Sequence, residues 1–336
     1  MTHRFSLVLL GMVLALCIPQ AWGGESMQAI RMTEFGGVEV LDIASMPRPV
    51  PASGELLIRV HAAAVNPVDA HIRRGYAAGF IDVEMPYVPG FDVSGVVAAV
   101  GEGIDGFAVG DPIFAMLDLN RGGAYAEYAI VKAGEAARKP ESIGHVEAAA
   151  LPLVTLTAWQ ALFDTAQLVS GQTVLIHGGS GGVGSVAIQL AKERGARVIT
   201  TASLGNHDFA RSLGADVVVD YRSERFEDVA KDVDVVLDTV GGPTQERSLQ
   251  VLKNGGVLVS LVGLGESART PPRDIRAIGI LVRPDAAQLG MIAALVDRGQ
   301  LKPEVSMVLP VEQVDEAHRQ IETGHTRGKV VLQILK

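Results

Sequence analysis

The sequence predicts an α/β protein with two domains, a mostly β domain followed by a doubly wound parallel sheet. Short apolar runs separated by turn residues fill positions 27 to 132, as in an all-β domain. After position 151, strand-like runs alternate with helical ones, which is the pattern of βαβ units. A glycine-dense turn follows the apolar run at 174–176, and such runs are typical of strands buried on both faces of a parallel sheet.

The first domain is predicted over residues 27–150. Its candidate elements are strands at 56–60 and 93–100, a turn at 110–112, a strand at 113–114 and helix-forming residues at 147–164. Pro152 lies inside the last run and should break or kink a helix, because proline cannot donate the backbone hydrogen bond. We therefore place the domain boundary near residue 150.

The second domain is predicted over residues 151–284. It has candidate strands at 173–177, 197–201, 217–220, 233–238, 256–262 and 278–282. The remaining residues predict a helix at 286–298, a strand at 305–309, a helix at 311–322 and a strand at 329–334. This tail has no glycine motif, so we expect residues 285–336 to return to the first domain.

The glycine-dense turn predicts a dinucleotide site. Gly179, Gly181 and Gly184 match G-x-G-x-x-G, in which the glycines permit a tight turn, close approach to a pyrophosphate and close packing of helix on strand. The following helix would direct its free N–H groups and positive dipole end at the phosphates. The predicted pyrophosphate loop is Ser180, Gly181, Gly182, Val183 and Gly184. The alternative is a glycine-rich turn without a ligand.

The end of the second strand favours NADP(H) over NAD(H). An NAD site usually has Asp or Glu there to accept hydrogen bonds from the ribose 2′-OH, whereas this strand continues into Ala202 and Ser203. A carboxylate would repel a 2′-phosphate, while Ser203 and Asn206, with Arg211 nearby, would bind one. The alternative is that Ser203 only caps the next helix, which is compatible with either cofactor.

Composition excludes several classes of function. The 336 residues carry a formal net charge of −9 and include no long basic run, which argues against a nucleic-acid or anionic-membrane partner. Cys17 is the single cysteine, so an internal disulfide framework and a cysteine-based structural zinc site are both excluded.

The first 23 residues have the pattern of a secretory signal peptide. A short cationic start ends at Arg4, an apolar run covers 5–18, and the small residues Ala21 and Gly23 fit cleavage after Gly23. The run is too short to span a bilayer comfortably. We expect a periplasmic or secreted protein without stable membrane association. The alternative is a cytoplasmic protein that starts at Met27, since NADPH is a cytosolic cofactor and no twin-arginine signal is present.

Six segments together carry a family resemblance. They are AVNPVDAHIRRG (64–75), PYVPGFDVSGVVAAVGEGIDGFAVGD (86–111), GGAYAEYA (122–129), LPLVTLTAW (151–159), GGSGGVG (178–184) and GHTRGKVVL (324–332). The chain from Met27 to Lys336 resembles the medium-chain dehydrogenase/reductase superfamily, in its zinc-independent quinone oxidoreductase (zeta-crystallin-like) branch. The resemblance implies a GroES-like catalytic domain and a Rossmann nucleotide domain. Gly179 departs mildly from the usual Ala or Ser and should preserve the turn.

The residues at the zinc-ligand positions of this superfamily predict that no metal is bound. Zinc-dependent relatives have a Cys where this chain has Asn66 and a His where it has Phe91. Phe91 has no lone pair, and Asn66 is a poor zinc ligand compared with a thiolate. Without a Lewis acid, the resemblance implies hydride transfer from NADPH to a quinone or an enone. The protein must then hold donor and acceptor about 3–3.5 Å apart and stabilise the developing oxygen charge.

The resemblance also implies catalytic candidates. Asn66, Asp69 and Tyr76 come from the segment that lines the cleft in relatives. Asn66 would donate to a substrate oxygen or to the nicotinamide ribose, and Tyr76 lies near the position of a proton-donating Tyr in related enoyl reductases. His71 occupies a position where quinone reductases often have a Tyr. For Asp69, the alternative is a carboxylate that anchors its loop.

Cofactor contacts follow from the resemblance and from strand ends. Thr157 would lie near the nicotinamide, and Ser203, Asn206 and Tyr221 would surround the 2′-phosphate. Val240, Val262 and Gly263 follow strand ends at the carboxyl edge, where open α/β sheets bind ligands. Lys329 would contact the cofactor or only fix the last strand. His177 and His318 are expected to be structural or solvated.

The sequence therefore favours an NADPH-dependent reductase of quinones or α,β-unsaturated carbonyls. One alternative is an NADP(H)-binding protein with little turnover, and a second is a zinc alcohol dehydrogenase, against which the zinc-ligand positions argue. A homodimer that pairs through the edge of the nucleotide domain is implied by the resemblance.

Overall fold

A computed structural model describes residues 25–77 and 81–335. The predicted signal peptide at 1–23 lies outside the described residues. Within them, no helix is long and apolar enough to cross a bilayer.

The part of the chain before the glycine turn forms strands and short helices. In order they are β1 (Ser26–Arg31), β2 (Asp42–Pro47), β3 (Glu55–Val65), α1 (Pro67–Arg73), β4 (Asp92–Val100), β5 (Pro112–Met116), β6 (Tyr128–Lys132), β7 (Ala136–Arg138), α2 (His145–Ala149) and α3 (Pro152–Trp159). A π-helical stretch, Gln160–Thr165, continues α3. Pro152 is the first residue of α3, so the predicted helical run is divided at the proline.

Strands and helices then alternate. They are β8 (Thr173–Ile176), α4 (Gly182–Glu193), β9 (Arg197–Ala202), α5 (His207–Ser212), β10 (Val217–Asp220), α6 (Phe226–Val229), β11 (Val233–Asp238), α7 (Gly242–Val251), β12 (Leu252–Ser260), α8 (Glu266–Arg269) and β13 (Arg276–Gly279). The last elements are α9 (Ala286–Asp297), β14 (Val305–Pro310), α10 (Val314–Glu322) and β15 (Lys329–Gln333).

A six-stranded parallel sheet has the order β10-β9-β8-β11-β12-β13. Leu175 in its centre pairs with Ile199 on one side and Val236 on the other. The apolar residues of β8 are completely buried, as expected for a strand covered on both faces. The strand order reverses between β8 and β11, and a doubly wound sheet binds ligands at such a crevice. The predicted doubly wound parallel sheet is confirmed.

A seven-stranded sheet holds most of the remaining strands. Its order is β14-β15-β3-β4-β5-β7, and β6 also pairs with β3. Strand β15 runs antiparallel to β3, with Val330 opposite Val65. The C-terminal strands thus join the sheet of the first part of the chain. The hairpin pair β1 and β2 forms a separate small sheet.

Two local predictions were incomplete. The strand expected at 278–282 forms at Arg276–Gly279, so it begins two residues earlier and ends three residues earlier than predicted. Helix α1 lies in a region predicted as all β. It forms because Pro67 occupies the first turn and because the Asp69 carboxylate accepts the backbone N–H of Asn66 at the helix start. Seven residues are too few to show helical periodicity in a sequence.

Candidate active site

The glycine turn between β8 and α4 lies at the crevice, and the structure reassigns the roles of its glycines. Gly178 has a φ of +67°, so this residue, rather than Gly179, makes the left-handed turn. Gly179 must lack a side chain because a Cβ there would collide with the Thr200 hydroxyl of β9. A Cβ on Gly184 would collide with the backbone carbonyl of Gly178, which fits the expected close packing of helix on strand.

The open side of the turn fits a pyrophosphate. A Cβ on Gly181 would have only the Gly178 carbonyl oxygen near it, at 3.4 Å. Gly182, Val183 and Gly184 form the first turn of α4, where N–H groups have no partner within the helix. The loop therefore offers backbone donors that lack a helical partner at a positive helix end, which is what a dinucleotide phosphate needs.

The buried side chain of His177 is hydrogen-bonded to residues that hold the glycine turn. The Ser248 hydroxyl donates to the carbonyl of Thr244 at 2.7 Å and thus accepts from Nε2 of His177, 2.9 Å away. Nδ1 of His177 is then the acceptor for the Thr201 hydroxyl at 3.2 Å, and that hydroxyl accepts the N–H of Gly178. Burial lowers the pKa of His177 to about 4, so the ring is neutral, as this chain of hydrogen bonds requires.

Ser203, Asn206 and Tyr221 lie just beyond the carboxyl ends of β9 and β10. The Asn206 amide donates to the Ser203 hydroxyl at 3.0 Å, and the Ser203 side chain does not cap the following turn. The ring of Tyr221 is half exposed, with the Arg222 guanidinium 5.6 Å from its centre. Arg211 pairs with Asp208 on α5, and Arg222 is the cation next to Tyr221.

Val240 and Val262 lie on the other side of the crevice, in the loops after β11 and β12. Each is 55% exposed. Gly263 has a φ of +83°. Thr157 is buried in α3, where its hydroxyl donates to the carbonyl of Leu153 at 2.6 Å.

Asn66 belongs to a buried polar cluster. Only 1% of the residue is exposed, and its amide group donates to Oδ2 of Asp92 at 2.9 Å. Its side-chain oxygen accepts from the ammonium of Lys329. The amide nitrogen also lies 3.4 Å from the carbonyl of Ala64, so the nitrogen and the oxygen of the Asn66 side chain both have partners inside the protein.

Lys329 neutralises this cluster. Its ammonium donates to the carbonyl of Val65 at 3.1 Å and to Asp92 at 3.2 Å, in addition to Asn66. Of the two roles considered, fixing the last strand is the one the geometry supports. The neighbouring Gly328 donates its N–H to the carbonyl of Ser180 at 2.9 Å. The cluster is thereby joined to the pyrophosphate loop.

Asp69 lies beside Asn66, whereas Tyr76 does not. Oδ2 of Asp69 accepts from the N–H of Asn66 at 2.7 Å and from the hydroxyl of Tyr125 at 3.0 Å, while its buried Oδ1 has no partner. Burial raises the pKa of Asp69 to about 7 in spite of these donors. Tyr76 is 70% exposed, and the described residues give it no hydrogen bond to Asn66 or Asp69. The structure thus joins two of the three catalytic candidates.

Sequence reasoning missed Asp92 and Tyr125. Asp92 is completely buried and also accepts from the N–H of Leu153 at 2.6 Å. Burial raises the pKa of Asp92, and the ammonium of Lys329 opposes that shift. In the sequence, a buried charged residue can be recognised as a charged side chain next to apolar ones. Asp92 precedes Val93 in this way, and Lys329 precedes Val330.

The raised pKa of Asp69 predicts a measurable pH dependence. Between the unfolded pKa near 3.9 and the folded value of about 7, the folded protein holds a proton that the unfolded chain lacks. This contribution to stability is lost as pH rises through that window, by about 1.4 kcal/mol per pH unit. Asp69→Asn does not titrate. Relative to wild type, the variant should therefore gain up to about 3 kcal/mol in the free energy of unfolding from pH 5 to pH 8.

Urea unfolding at the two pH values measures this difference. Contributions from His177 and His318, whose pKa values burial lowers to about 4, occur in both proteins and cancel. Asp297→Asn is the matched control, because a backbone N–H from Ser142 lowers the pKa of Asp297 and keeps it ionised throughout. A stability difference for Asp69→Asn that does not change with pH would contradict the assignment.

Comparisons with known proteins cover nearly the whole described chain. A family model described as zinc-binding dehydrogenase matches residues 213–332, and one described as alcohol dehydrogenase GroES-like domain matches residues 52–141. The chain is 37% identical to 2-methylene-furan-3-one reductase of Solanum lycopersicum, over 92% of this chain and 79% of the relative. It is 36% identical to the chloroplastic NADPH-dependent alkenal/one oxidoreductase of Arabidopsis thaliana, over 92% of this chain and 80% of the relative. The solved quinone oxidoreductase from Coxiella burnetii has a TM-score of 0.86 at 35% identity, over 93% of this chain and 100% of that chain.

The residues at the expected zinc position do not fit the metal named in the first family description. The oxygen of Asn66 is occupied by the ammonium of Lys329, and Phe91 is completely buried without a donor atom. Among residues 25–77 and 81–335, no three His, Cys, Asp or Glu side chains form a group that could hold a metal ion. A cation of the protein itself, the ammonium of Lys329, lies at this place.

Proposed function

This chain belongs to the medium-chain dehydrogenase/reductase superfamily, in its quinone oxidoreductase branch, and on that premise we propose that it reduces quinones or α,β-unsaturated carbonyls with NADPH and without a metal. The protein is an NAD(P)H-dependent oxidoreductase. The observation that carries the proposal is the combination of an open pyrophosphate loop with a buried lysine ammonium at the place of the metal.

The chain's own residues hold the cofactor and shape the cleft. The N–H groups of Gly182, Val183 and Gly184 would bind the pyrophosphate, and the exposed side chains of Val240 and Val262 would pack against the nicotinamide half. Bound NADPH supplies a hydride to the substrate. A conjugated acceptor needs less activation than an isolated carbonyl, which is consistent with a site that has no Lewis acid.

Turnover with two acceptors tests the proposal. Purified protein should oxidise NADPH when 1,4-benzoquinone or 2-cyclohexenone is added, at a rate that the chelator 1,10-phenanthroline does not change. Alcohol oxidation that the chelator abolishes would instead support a zinc alcohol dehydrogenase. NADPH binding without turnover of any quinone or enone would support a cofactor-binding protein.

We propose NADPH as the preferred cofactor because the residue that follows β9 is Ser203 and not an aspartate or glutamate, which would repel a 2′-phosphate. The Ser203 and Asn206 side chains, with Tyr221 and Arg222 beside them, offer hydroxyl, amide and cationic donors to a 2′-phosphate. Among the described residues, the Arg222 guanidinium has no carboxylate within ion-pair distance.

Ser203→Asp is therefore expected to lower the ratio of NADPH affinity to NADH affinity at least about tenfold, or about 1.4 kcal/mol. Aspartate would repel the 2′-phosphate and accept hydrogen bonds from a free ribose 2′-OH. Calorimetric titration with both cofactors gives the ratio. Ser212→Asp, which adds the same charge on the exposed end of α5, should leave the ratio unchanged. An unchanged ratio in Ser203→Asp would contradict this assignment of the 2′-phosphate site.

We also propose that the protein is exported and that it pairs through the edge of the parallel sheet. The arrangement of charged, apolar and small residues at 1–23 supports export, and intact mass of protein from the native host distinguishes a start at Gly24 from one at Met27.

Strand β13 is an edge strand followed by the exposed Leu281, which supports pairing of two copies there. Light scattering of wild type and Leu281→Asp tests it, since a dimer through this edge should weaken in the variant.

A further inference from the structure

A buried polar cluster lies beneath the two loops that follow β11 and β12. Its members are Asp238, Gln245 and Ser260, each at most 2% exposed. Asp238 and Ser260 are the last residues of their strands, and Gln245 lies on α7. None of these three residues belongs to the pyrophosphate loop or to the Asn66 cluster.

Asp238 fixes the first loop. Its Oδ1 accepts from the backbone N–H of Val240 at 3.0 Å and from that of Gly241 at 2.8 Å. Gly241 has a φ of +76° and begins the turn into α7. One carboxylate oxygen therefore determines where the exposed Val240 side chain is placed.

Gln245 and Ser260 connect the first loop to the second. The Gln245 amide nitrogen donates to Oδ2 of Asp238 at 2.7 Å and to the carbonyl of Gly263 at 2.9 Å. Its oxygen accepts the N–H of Gly265 at 2.8 Å. The Ser260 hydroxyl lies 3.0 Å from Oδ2 of Asp238 and 2.8 Å from the Gly263 carbonyl. Both loops are thus held by the same three side chains.

Hydrogen-bond donors hold the Asp238 carboxylate in place. Among the described residues, no Lys, Arg or His lies within ion-pair distance of the Asp238 carboxylate, which is surrounded by N–H and O–H donors near the N-terminus of α7. Removing one member would leave its buried partners without hydrogen bonds, which is unfavourable. A fully satisfied cluster also restricts its surroundings to one arrangement.

The position of the two loops indicates which part of the cofactor they would contact. A dinucleotide lies across the crevice with its pyrophosphate at α4, and its adenosine half lies over the β9 side of the sheet. The nicotinamide half must therefore lie over β11 and β12. We propose that Asp238, Gln245 and Ser260 are positioning residues that hold the two loops in the geometry that binds the nicotinamide half of NADPH. This inference depends on the cofactor named in the proposed function but not on its substrate.

The affinities for two ligands that share only the adenosine half distinguish this positioning role from general stabilisation of the fold. The probes are NADPH and 2′,5′-ADP, which has the adenosine half without the nicotinamide half, both measured by calorimetry. Gln245→Met removes the hydrogen bonds at similar side-chain length. We expect its affinity for NADPH to fall at least about tenfold, while its affinity for 2′,5′-ADP stays within about twofold of wild type. Equal weakening of both ligands, or unchanged affinity for NADPH, would overturn the proposal.

A reversed pair of side chains provides the second test. Asp238→Asn places an amide donor opposite the Gln245 amide donor and should weaken NADPH binding in the same selective way. In Asp238→Asn combined with Gln245→Glu, the amide of residue 238 donates to the carboxylate of residue 245, which still accepts from Gly265. The Gly263 carbonyl loses its donor at residue 245 and keeps the Ser260 hydroxyl. NADPH affinity should then recover in part, and a double variant that binds NADPH as weakly as Asp238→Asn alone would count against the proposal. Failure of the wild type to reduce any acceptor would remove the proposed function without affecting these binding measurements.

Discussion

Replacing Lys329 with methionine is expected to lower the free energy of unfolding by about 3–5 kcal/mol. The change leaves the carboxylate of Asp92 in a completely buried position without its cation, and it removes a donor from Asn66 and from the Val65 carbonyl. Such a loss is a large share of the 5–15 kcal/mol typical of a folded protein. Urea unfolding at neutral pH measures it.

A double-mutant cycle distinguishes this explanation from a simple packing defect. Asp92→Asn removes the charge that Lys329 compensates, so the two substitutions together should cost at least about 2 kcal/mol less than their sum. Lys192→Met is the matched control, because Lys192 pairs with Asp216 at the partly exposed surface and should cost at most about 1 kcal/mol. Additive effects of Lys329→Met and Asp92→Asn would refute the buried ion pair as the source of the stability.

The second large effect is expected at Gly181. A methyl group there meets only one protein atom, at ordinary contact distance, so the variant Gly181→Ala should fold with a loss of about 1 kcal/mol or less. The same methyl would occupy the space where a pyrophosphate approaches the N-terminus of α4. NADPH affinity should therefore fall by at least about 100-fold, or about 2.7 kcal/mol, as measured by calorimetry.

Two further alanine variants separate folding from binding. In Gly184→Ala the new methyl collides with the backbone of Gly178, so stability and NADPH binding should both be lost. Gly290→Ala lies in an exposed part of α9 with open space around it and should stabilise the protein slightly without changing NADPH binding. Wild-type affinity for NADPH in Gly181→Ala would exclude this loop as the pyrophosphate site.

The nucleotide half of the fold could be predicted because its determinants are local. Strand, glycine turn and helix follow one another within residues 173–193, and a buried parallel strand must be apolar on both faces. The same holds for Pro152, whose missing N–H sets the start of α3 wherever the helix packs. Even in this half of the fold, tertiary contacts determine why particular glycines are required. Gly179 is required by Thr200 on the next strand, which no pattern within the turn itself indicates.

The sequence by itself thus determined the doubly wound sheet, the dinucleotide motif and the absence of zinc-type ligands at Asn66 and Phe91. Only the tertiary structure decided what Asn66 does, because its partners Asp92 and Lys329 are 26 and 263 residues away. Lys329 reaches Asn66 because the antiparallel register sets Val330 opposite Val65. Tyr76, which the resemblance assigns to the segment that lines the cleft, is 70% exposed and follows Gly75, whose φ of +80° turns the chain at the end of α1. Which strands pair depends on contacts between distant segments, and the residue pattern of one segment does not identify its partner.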